Sequence, residues 1–213
     1  MNYPFTTEQF FNVFTNYNQA IWPMQIVAYV LGLLAIVFGI VKIKSSHRIV
    51  TGILTFFWLW MGLVYHIMFF TTINKAAYIF GGIFIIQAII FLIFGLIKGK
   101  LSFGFNSNIY WIVGTLFILC AMVIYPILGH LQGHGYPNAP MFGIAPCPAT
   151  IFTFGILLWS DKKVSLSFFI IPLIWSIIGF LAAVSLGVKE DIGLLVAGVV
   201  GTVLILIKNR NFK

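Results

Sequence analysis

Residues 76–97 read AAYIFGGIFIIQAIIFLIFGLI, a run of 22 residues without a charged side chain. Lysines flank the run, with Lys75 before it and Lys98 and Lys100 after it. The hydrocarbon core of a bilayer is about 30 Å thick, and an α-helix crosses it with about 20 apolar residues. This stretch therefore predicts a transmembrane helix. Other stretches of similar length and apolar character can be identified by comparison with it.

The composition of the whole chain agrees with that prediction. Of its 213 residues, 61% are hydrophobic and only 8% are charged. Soluble domains have about 45–50% apolar and about 25% charged residues, so an ordinary soluble domain is excluded. The net charge of +8 does not indicate nucleic-acid binding, because lysines and arginines between membrane spans mark the cytoplasmic side. The expected partners are the lipid bilayer and a small solute or ion, with homo-oligomerisation left open.

Six further stretches resemble residues 76–97, and together they predict an all-α polytopic membrane protein that forms a single domain over residues 1–213. The seven predicted spans cover residues 21–41, 49–71, 76–97, 109–129, 142–160, 166–187 and 191–207. Before the first span, Thr6 and Gln9 fit a capping box, and aromatic residues follow at helical spacing. We predict a short interfacial helix over about residues 5–18, with a lid over an outer vestibule as the alternative.

The basic residues predict how the spans are oriented. With seven spans and the N-terminus outside, ten of the twelve lysines and arginines fall in cytoplasmic segments, and only Lys75 and Lys189 stay outside. The ten are Lys42, Lys44, Arg48, Lys98, Lys100, Lys162, Lys163, Lys208, Arg210 and Lys213. The sequence therefore predicts seven transmembrane helices with the N-terminus outside and the C-terminus in the cytoplasm.

Polar side chains gather in the outer half of the predicted bundle. Such groups are costly inside a bilayer, and they mark candidate functional sites. The candidate cavity or binding residues are Gln25, Tyr29, Tyr65, His66, Cys147, Thr150 and Asp191. We therefore predict an outward-facing polar cavity.

Residues 143–150 read GIAPCPAT and predict a break in the fifth span. Pro148 disfavours a helical conformation at Cys147, whereas proline fits the first turn of a helix. A helix from Pro148 to Ser160 would be only about 20 Å long, so the residues before it would enter the membrane as non-helical backbone. The alternative is a continuous, proline-kinked helix in which Cys147 is an inert core residue.

A cysteine and histidines on the same side of the membrane suggest a soft metal site, because imidazole and thiolate suit Cu or Zn. The candidate ligands are His66, His130, His134 and Cys147. Glycines around His130 and His134 favour the alternative of loop histidines that bind no metal. The sequence contains no catalytic triad, Walker loop or dinucleotide motif, and we assign no catalytic residue.

Three classes of function remain from these residues. The first is a transport or permeation protein that passes a small solute or soft metal ion through the outward-facing cavity. The second is a non-catalytic membrane scaffold or sensor. The third, which we rank last, is a membrane enzyme that depends on a thiol or a metal, since there is no second thiol close to Cys147 in the sequence.

Several segments also resemble a known family. They are FTTEQF at 5–10, AIWP at 20–23, WLWMG at 58–62, Tyr65–His66 and the stretch Gly143–Gly155. Together they resemble a family of bacterial multi-pass integral membrane proteins that is catalogued only as a domain of unknown function. The resemblance covers nearly the whole chain. It implies a multi-pass protein of the bacterial inner (plasma) membrane, and it implies no particular activity, cofactor or site residue.

Overall fold

The computed structural model describes residues 4–212, and within this range the chain folds into eight helices. They are α1 (Thr7–Ala20), α2 (Met24–Ile40), α3 (Ser46–Thr72), α4 (Ala77–Ile97), α5 (Ile109–Leu131), α6 (Pro146–Leu158), α7 (Leu166–Leu186) and α8 (Lys189–Asn211). No strand forms among residues 4–212, where a single bridge joins Phe103 and Ser160. The all-α prediction is confirmed. Residues 1–3 and Lys213, which the single-domain prediction includes, lie outside the described range.

Five of the helices, α3, α4, α5, α7 and α8, are long and apolar enough to cross a membrane. Helices α1 and α2 meet at a bend of 85° and would add a sixth span if they are taken together. Large apolar side chains face outward on these helices; Val30, Leu33 and Val37 of α2 are each about half exposed. Such a surface suits lipid better than water. Several apolar helices that could span a membrane are thus confirmed, whereas the count of seven stays a prediction.

Four loop or terminal segments meet at one end of the bundle, which we call the basic end (residues 41–48, 98–108, 159–165 and 208–212). Lys42 forms an ion pair of 2.5 Å with Asp161, and the Asp161 amide donates to the Ser102 carbonyl at 2.9 Å. Asn209 exchanges two hydrogen bonds with Val164. Burial raises the pKa of the Asp161 carboxyl, but hydrogen bonds from Lys42 and Ser102 outweigh burial and hold this pKa below its ordinary value.

The other end of the bundle, which we call the α1 end, is formed by α1, residues 132–145 and the connection between α7 and α8. The Asn18 side chain donates to the carbonyls of Pro137 at 2.6 Å and Ala139 at 2.8 Å. Nearby, His134 lies 3.7 Å from Glu190. Helices α2 to α8 therefore run alternately between the two ends. Nine of the ten residues that the orientation assigns to the cytoplasm belong to the basic end, and the tenth, Lys213, lies outside the described range.

Glycines allow the helices to touch through their backbones. A Cβ atom added to Gly62 of α3 would lie 2.9 Å from the Gly81 carbonyl oxygen of α4. A Cβ atom on Gly114 of α5 would lie 2.7 Å from the Gly155 carbonyl oxygen of α6. Close approach at small residues is the usual way in which membrane helices pack, since lipid supplies no hydrophobic drive between them. The first contact joins α3 to α4, and the second joins α6 to α5.

Candidate functional site

A cavity of about 90 Å³ lies at the α1 end, between α1, α3, α7 and the beginnings of α6 and α8. A space of this size holds several water molecules or a small solute. Most of its wall is aromatic or aliphatic, with a few polar groups, as is typical of small-molecule sites. The lining residues are Phe5, Phe10, Phe14, Tyr65, Phe70, Asn74, Phe80, Pro140, Pro146, Cys147, Trp175, Ile178, Gly179, Ala182, Ala183 and Asp191.

A break in the chain brings Cys147 to this wall. Helix α6 begins at Pro146, and Ala145 before it has extended backbone angles, with φ −110° and ψ 143°. Gly143 has a φ of +77°, which favours glycine, and a Cβ atom there would also lie only 3.0 Å from Ala28 and Phe57. The predicted break is therefore present, two residues earlier than Pro148. The stretch predicted as a span at 142–160 is a 13-residue helix preceded by buried, non-helical backbone.

Asp191 supplies the carboxylate of the cavity. It lies at the beginning of α8, is only 3% exposed, and accepts a hydrogen bond of 2.6 Å from the Tyr125 hydroxyl. The Cys147 thiol lies close to the same carboxylate. A buried carboxylate thus faces the cavity with one phenol and one thiol beside it and no basic side chain.

Glu190 lies directly behind Asp191 and is also only 3% exposed. Both of its carboxylate oxygens lack a hydrogen-bonding partner. The nearest basic group is His134, whose Nδ1 is 3.7 Å from Glu190 Oε1 and whose ring stacks on Phe11 at 4.0 Å. Among residues 4–212, no lysine or arginine forms an ion pair with either carboxylate. Two buried carboxylates therefore follow each other in the chain, and of these Asp191 lines the cavity.

A π-helical segment at Met61–Phe69 shapes the α3 wall. Such segments are rare and often occur at functional sites. Here Tyr65 lines the cavity, and His66 lies behind the wall with no solvent exposure. The His66 ring is enclosed by aromatic rings, including Phe84 at 4.7 Å and Trp175 at 5.1 Å, and neither of its nitrogens has a hydrogen-bonding partner.

Helix α1 closes one side of the cavity. Its predicted capping box is present, since the Thr6 and Gln9 side chains each bond the backbone of the other residue. The Tyr17 hydroxyl donates to the Ile144 carbonyl at 2.7 Å and accepts from Trp60 Nε1 at 2.8 Å. These bonds tie α1 to the non-helical segment and to α3. Helix α1 therefore forms one wall of the cavity, and both its interfacial position and the alternative of a lid stay predictions.

Residues 7–213 match the family of unknown function DUF6064. The chain belongs to this family. No curated protein and no solved structure matches the chain. Because the family description states no activity, ligand or location, the function of this DUF6064 member is argued from its cavity.

In this DUF6064 chain, Tyr65, Cys147 and Asp191 of the predicted cavity residues line one cavity. Gln25 and Tyr29 lie in a separate depression near Met141. Their side chains donate to the carbonyls of Asn18 at 2.8 Å and Met122 at 3.0 Å. Thr150 is fully buried in α6, and His66 lies behind the wall. The structure therefore places three of the seven predicted residues in the cavity and two in the depression, and it buries Thr150 and His66 outside both.

The structure does not bring together the four predicted metal ligands of this DUF6064 chain. His66 is enclosed by rings, His130 is exposed, His134 lies 3.7 Å from Glu190, and Cys147 lies close to Asp191. Across residues 4–212, no group of three or more His, Cys, Asp or Glu side chains is arranged to hold a metal ion. The described residues therefore give no support to the predicted Cu or Zn site.

Sequence reasoning missed part of the wall in this family member. Phe70, Phe80 and Trp175 line the cavity, but nothing in the sequence distinguishes them from core residues in apolar spans. Glu190 is not among the predicted cavity residues, and only its burial without a hydrogen-bonding partner distinguishes it. The one available signal was its position beside Asp191, because adjacent acidic residues at a membrane boundary are costly unless something neutralises them.

Proposed function

We propose that this chain is a transport or permeation protein of the bacterial inner membrane, which takes a small solute from the outside into the aromatic cavity. The observation that carries the proposal is the cavity itself, whose apolar wall contains one buried carboxylate at Asp191. Small-solute sites combine such walls with a few placed polar groups. Ionisable residues at membrane depth mark substrate or ion pathways.

The distribution of charge supports an outward-facing cavity. The basic end collects the lysines and arginines, and such residues favour the cytoplasmic side. The cavity lies at the opposite end, which then faces the outside. In this orientation α2 to α8 make seven passages, with the N-terminus outside and the C-terminus in the cytoplasm.

The broken backbone before α6 supports a transport role. Non-helical backbone at membrane depth is tolerated where it is buried in protein or lines a cavity. In many transporters, interrupted helices form the substrate site. Here the non-helical residues 141–145 lead directly to Pro146 and Cys147 in the cavity wall.

Thiol labelling from each side of the membrane tests this proposal. We expect Asn138→Cys, at the α1 end, to react with a membrane-impermeant methanethiosulfonate in intact cells, whereas Asn106→Cys, at the basic end, stays protected. Both positions are exposed, so burial does not explain a difference. Each variant is made in a background with Cys120→Ser and Cys147→Ser.

Native Cys147, with Cys120→Ser alone, extends the same experiment to the cavity. We expect a small reagent to reach Cys147 from the outside, because its side chain lines the cavity. Reaction of Asn106→Cys instead of Asn138→Cys would contradict the orientation. Reaction of Cys147 only in inverted vesicles would contradict the outward-facing cavity.

A further inference from the structure

We infer that the solute is a small organic cation, such as an alkylated ammonium ion, whose charge neutralises the buried Asp191 carboxylate at the beginning of α8. This inference rests on the proposed function, because it names the substrate class of the same cavity. It joins two independent features of the structure, the unpaired acidic groups and the aromatic wall.

The acidic groups lack a positive partner. Buried charges in proteins are normally paired, because an isolated ion loses its hydration. Asp191 and Glu190 are both almost fully buried, and within the described range no lysine or arginine forms an ion pair with them. His134 lies 3.7 Å from Glu190, and no basic side chain of the described residues lines the cavity beside Asp191. A cationic solute would supply the missing charge.

The aromatic wall favours an organic cation. Four rings follow one another around the cavity, with centroid distances of 5.2 Å for Phe10–Phe14, 5.2 Å for Phe14–Tyr65, 5.7 Å for Tyr65–Phe70 and 6.3 Å for Phe10–Phe70. Phe80 and Trp175 add a further pair at 5.6 Å. Ring faces attract ammonium groups, and aromatic cages are the usual recognition element for quaternary ammonium ions.

A bare metal ion fits the same wall poorly. Hard cations need several oxygen ligands to replace their water, and among the described residues Asp191 is the only carboxylate that lines the cavity. Alkylated ammonium ions are weakly hydrated in comparison, so one carboxylate beside an aromatic wall suffices. The aromatic wall and the single carboxylate thus favour an alkylated ammonium ion over a metal ion.

Choline and 3,3-dimethylbutan-1-ol form the decisive pair of probes, because they share a shape and differ in charge. We expect calorimetric titration of the purified full-length chain to detect choline and to find binding of the neutral alcohol weaker by about tenfold or more. Asp191→Asn should weaken choline binding by about the same factor and leave the alcohol unchanged. Glu8→Gln removes an exposed carboxylate from α1 and serves as the matched control.

A second variant keeps the test valid if Asp191→Asn fails to fold. Phe14→Leu removes one aromatic face and should weaken choline binding while it spares the alcohol. Equal binding of the two probes would overturn the cation inference and leave a cavity for neutral solutes, as the proposed function allows. Binding of neither probe would also overturn the inference, and the reactivity of Cys147 from outside would then decide the proposed function separately.

Discussion

Replacement of Gly155 by leucine is expected to destabilise the fold strongly. A Cβ atom on Gly155 would lie 2.8 Å from the Gly114 carbonyl oxygen and 3.1 Å from the Ile118 backbone nitrogen. These are backbone atoms, so they cannot rotate away as a side chain would. Overpacking costs about 1–3 kcal/mol where side chains adjust, and we expect a loss of about 3 kcal/mol or more here. Because native proteins are stable by only about 5–15 kcal/mol, the melting temperature of Gly155→Leu should fall well below that of the unsubstituted chain.

Gly82→Leu is the matched control for this substitution. Gly82 lies within α4, and no atom would come within 4 Å of an added Cβ atom. Size-exclusion chromatography and thermal unfolding in detergent measure both variants. An equal melting temperature for Gly155→Leu and Gly82→Leu would show that α5 and α6 are not in backbone contact.

Lys208→Met is expected to destabilise the chain by about 2–4 kcal/mol. The Lys208 ammonium group is almost buried and donates to the carbonyls of Leu158, at 2.8 Å, and Ser160. These carbonyls lie at the C-terminal end of α6, where a helix has free acceptors and a negative dipole end. Methionine keeps the length of the side chain but leaves two buried acceptors unpaired, at about 1–3 kcal/mol each.

The control for Lys208→Met is Arg210→Gln, which removes a positive charge from an exposed position on the same helix end. Its effect on stability should stay within about 0.5 kcal/mol. Thermal unfolding at low and high salt measures both, and the loss in Lys208→Met should persist at high salt because the group is buried. A loss that matches the one in Arg210→Gln would mean that Lys208 does not hold the end of α6.

Features that depend on composition and on local chemistry could be predicted from the sequence. Long apolar runs predicted helices that could cross a membrane, because only internal hydrogen bonding satisfies the backbone in lipid. Pro148 predicted the break before α6, because proline restricts the residue that precedes it, although the helix begins two residues earlier at Pro146. Thr6 and Gln9 predicted the beginning of α1 through their reciprocal bonds.

The assembly of the cavity could not be predicted in the same way. Lipid tails are as apolar as leucine, so hydropathy does not determine which helices become neighbours. The contact between Cys147 and Asp191 and the place of Trp175 in the wall therefore had no signal in the sequence. The π-helical turn that carries Tyr65 and His66 also lacked one. Of the seven helices that correspond to the predicted spans, α2 and α6, with 17 and 13 residues, are shorter than the other five, and the count of seven spans stays a prediction.

Release of solutes from proteoliposomes tests whether the cavity passes a small solute across the membrane. The chain is reconstituted into vesicles loaded with radiolabelled choline, glycine betaine or glycerol. Ala182→Phe fills the cavity from α7, and Val184→Phe places the same ring on an exposed position of that helix. If the cavity conducts solutes, vesicles with the unsubstituted chain and vesicles with Val184→Phe should both release at least one of the three solutes. Vesicles with Ala182→Phe should release it no faster than protein-free vesicles. Equal release by the unsubstituted chain and Ala182→Phe, or no release of any solute above protein-free vesicles, would contradict conduction through the cavity.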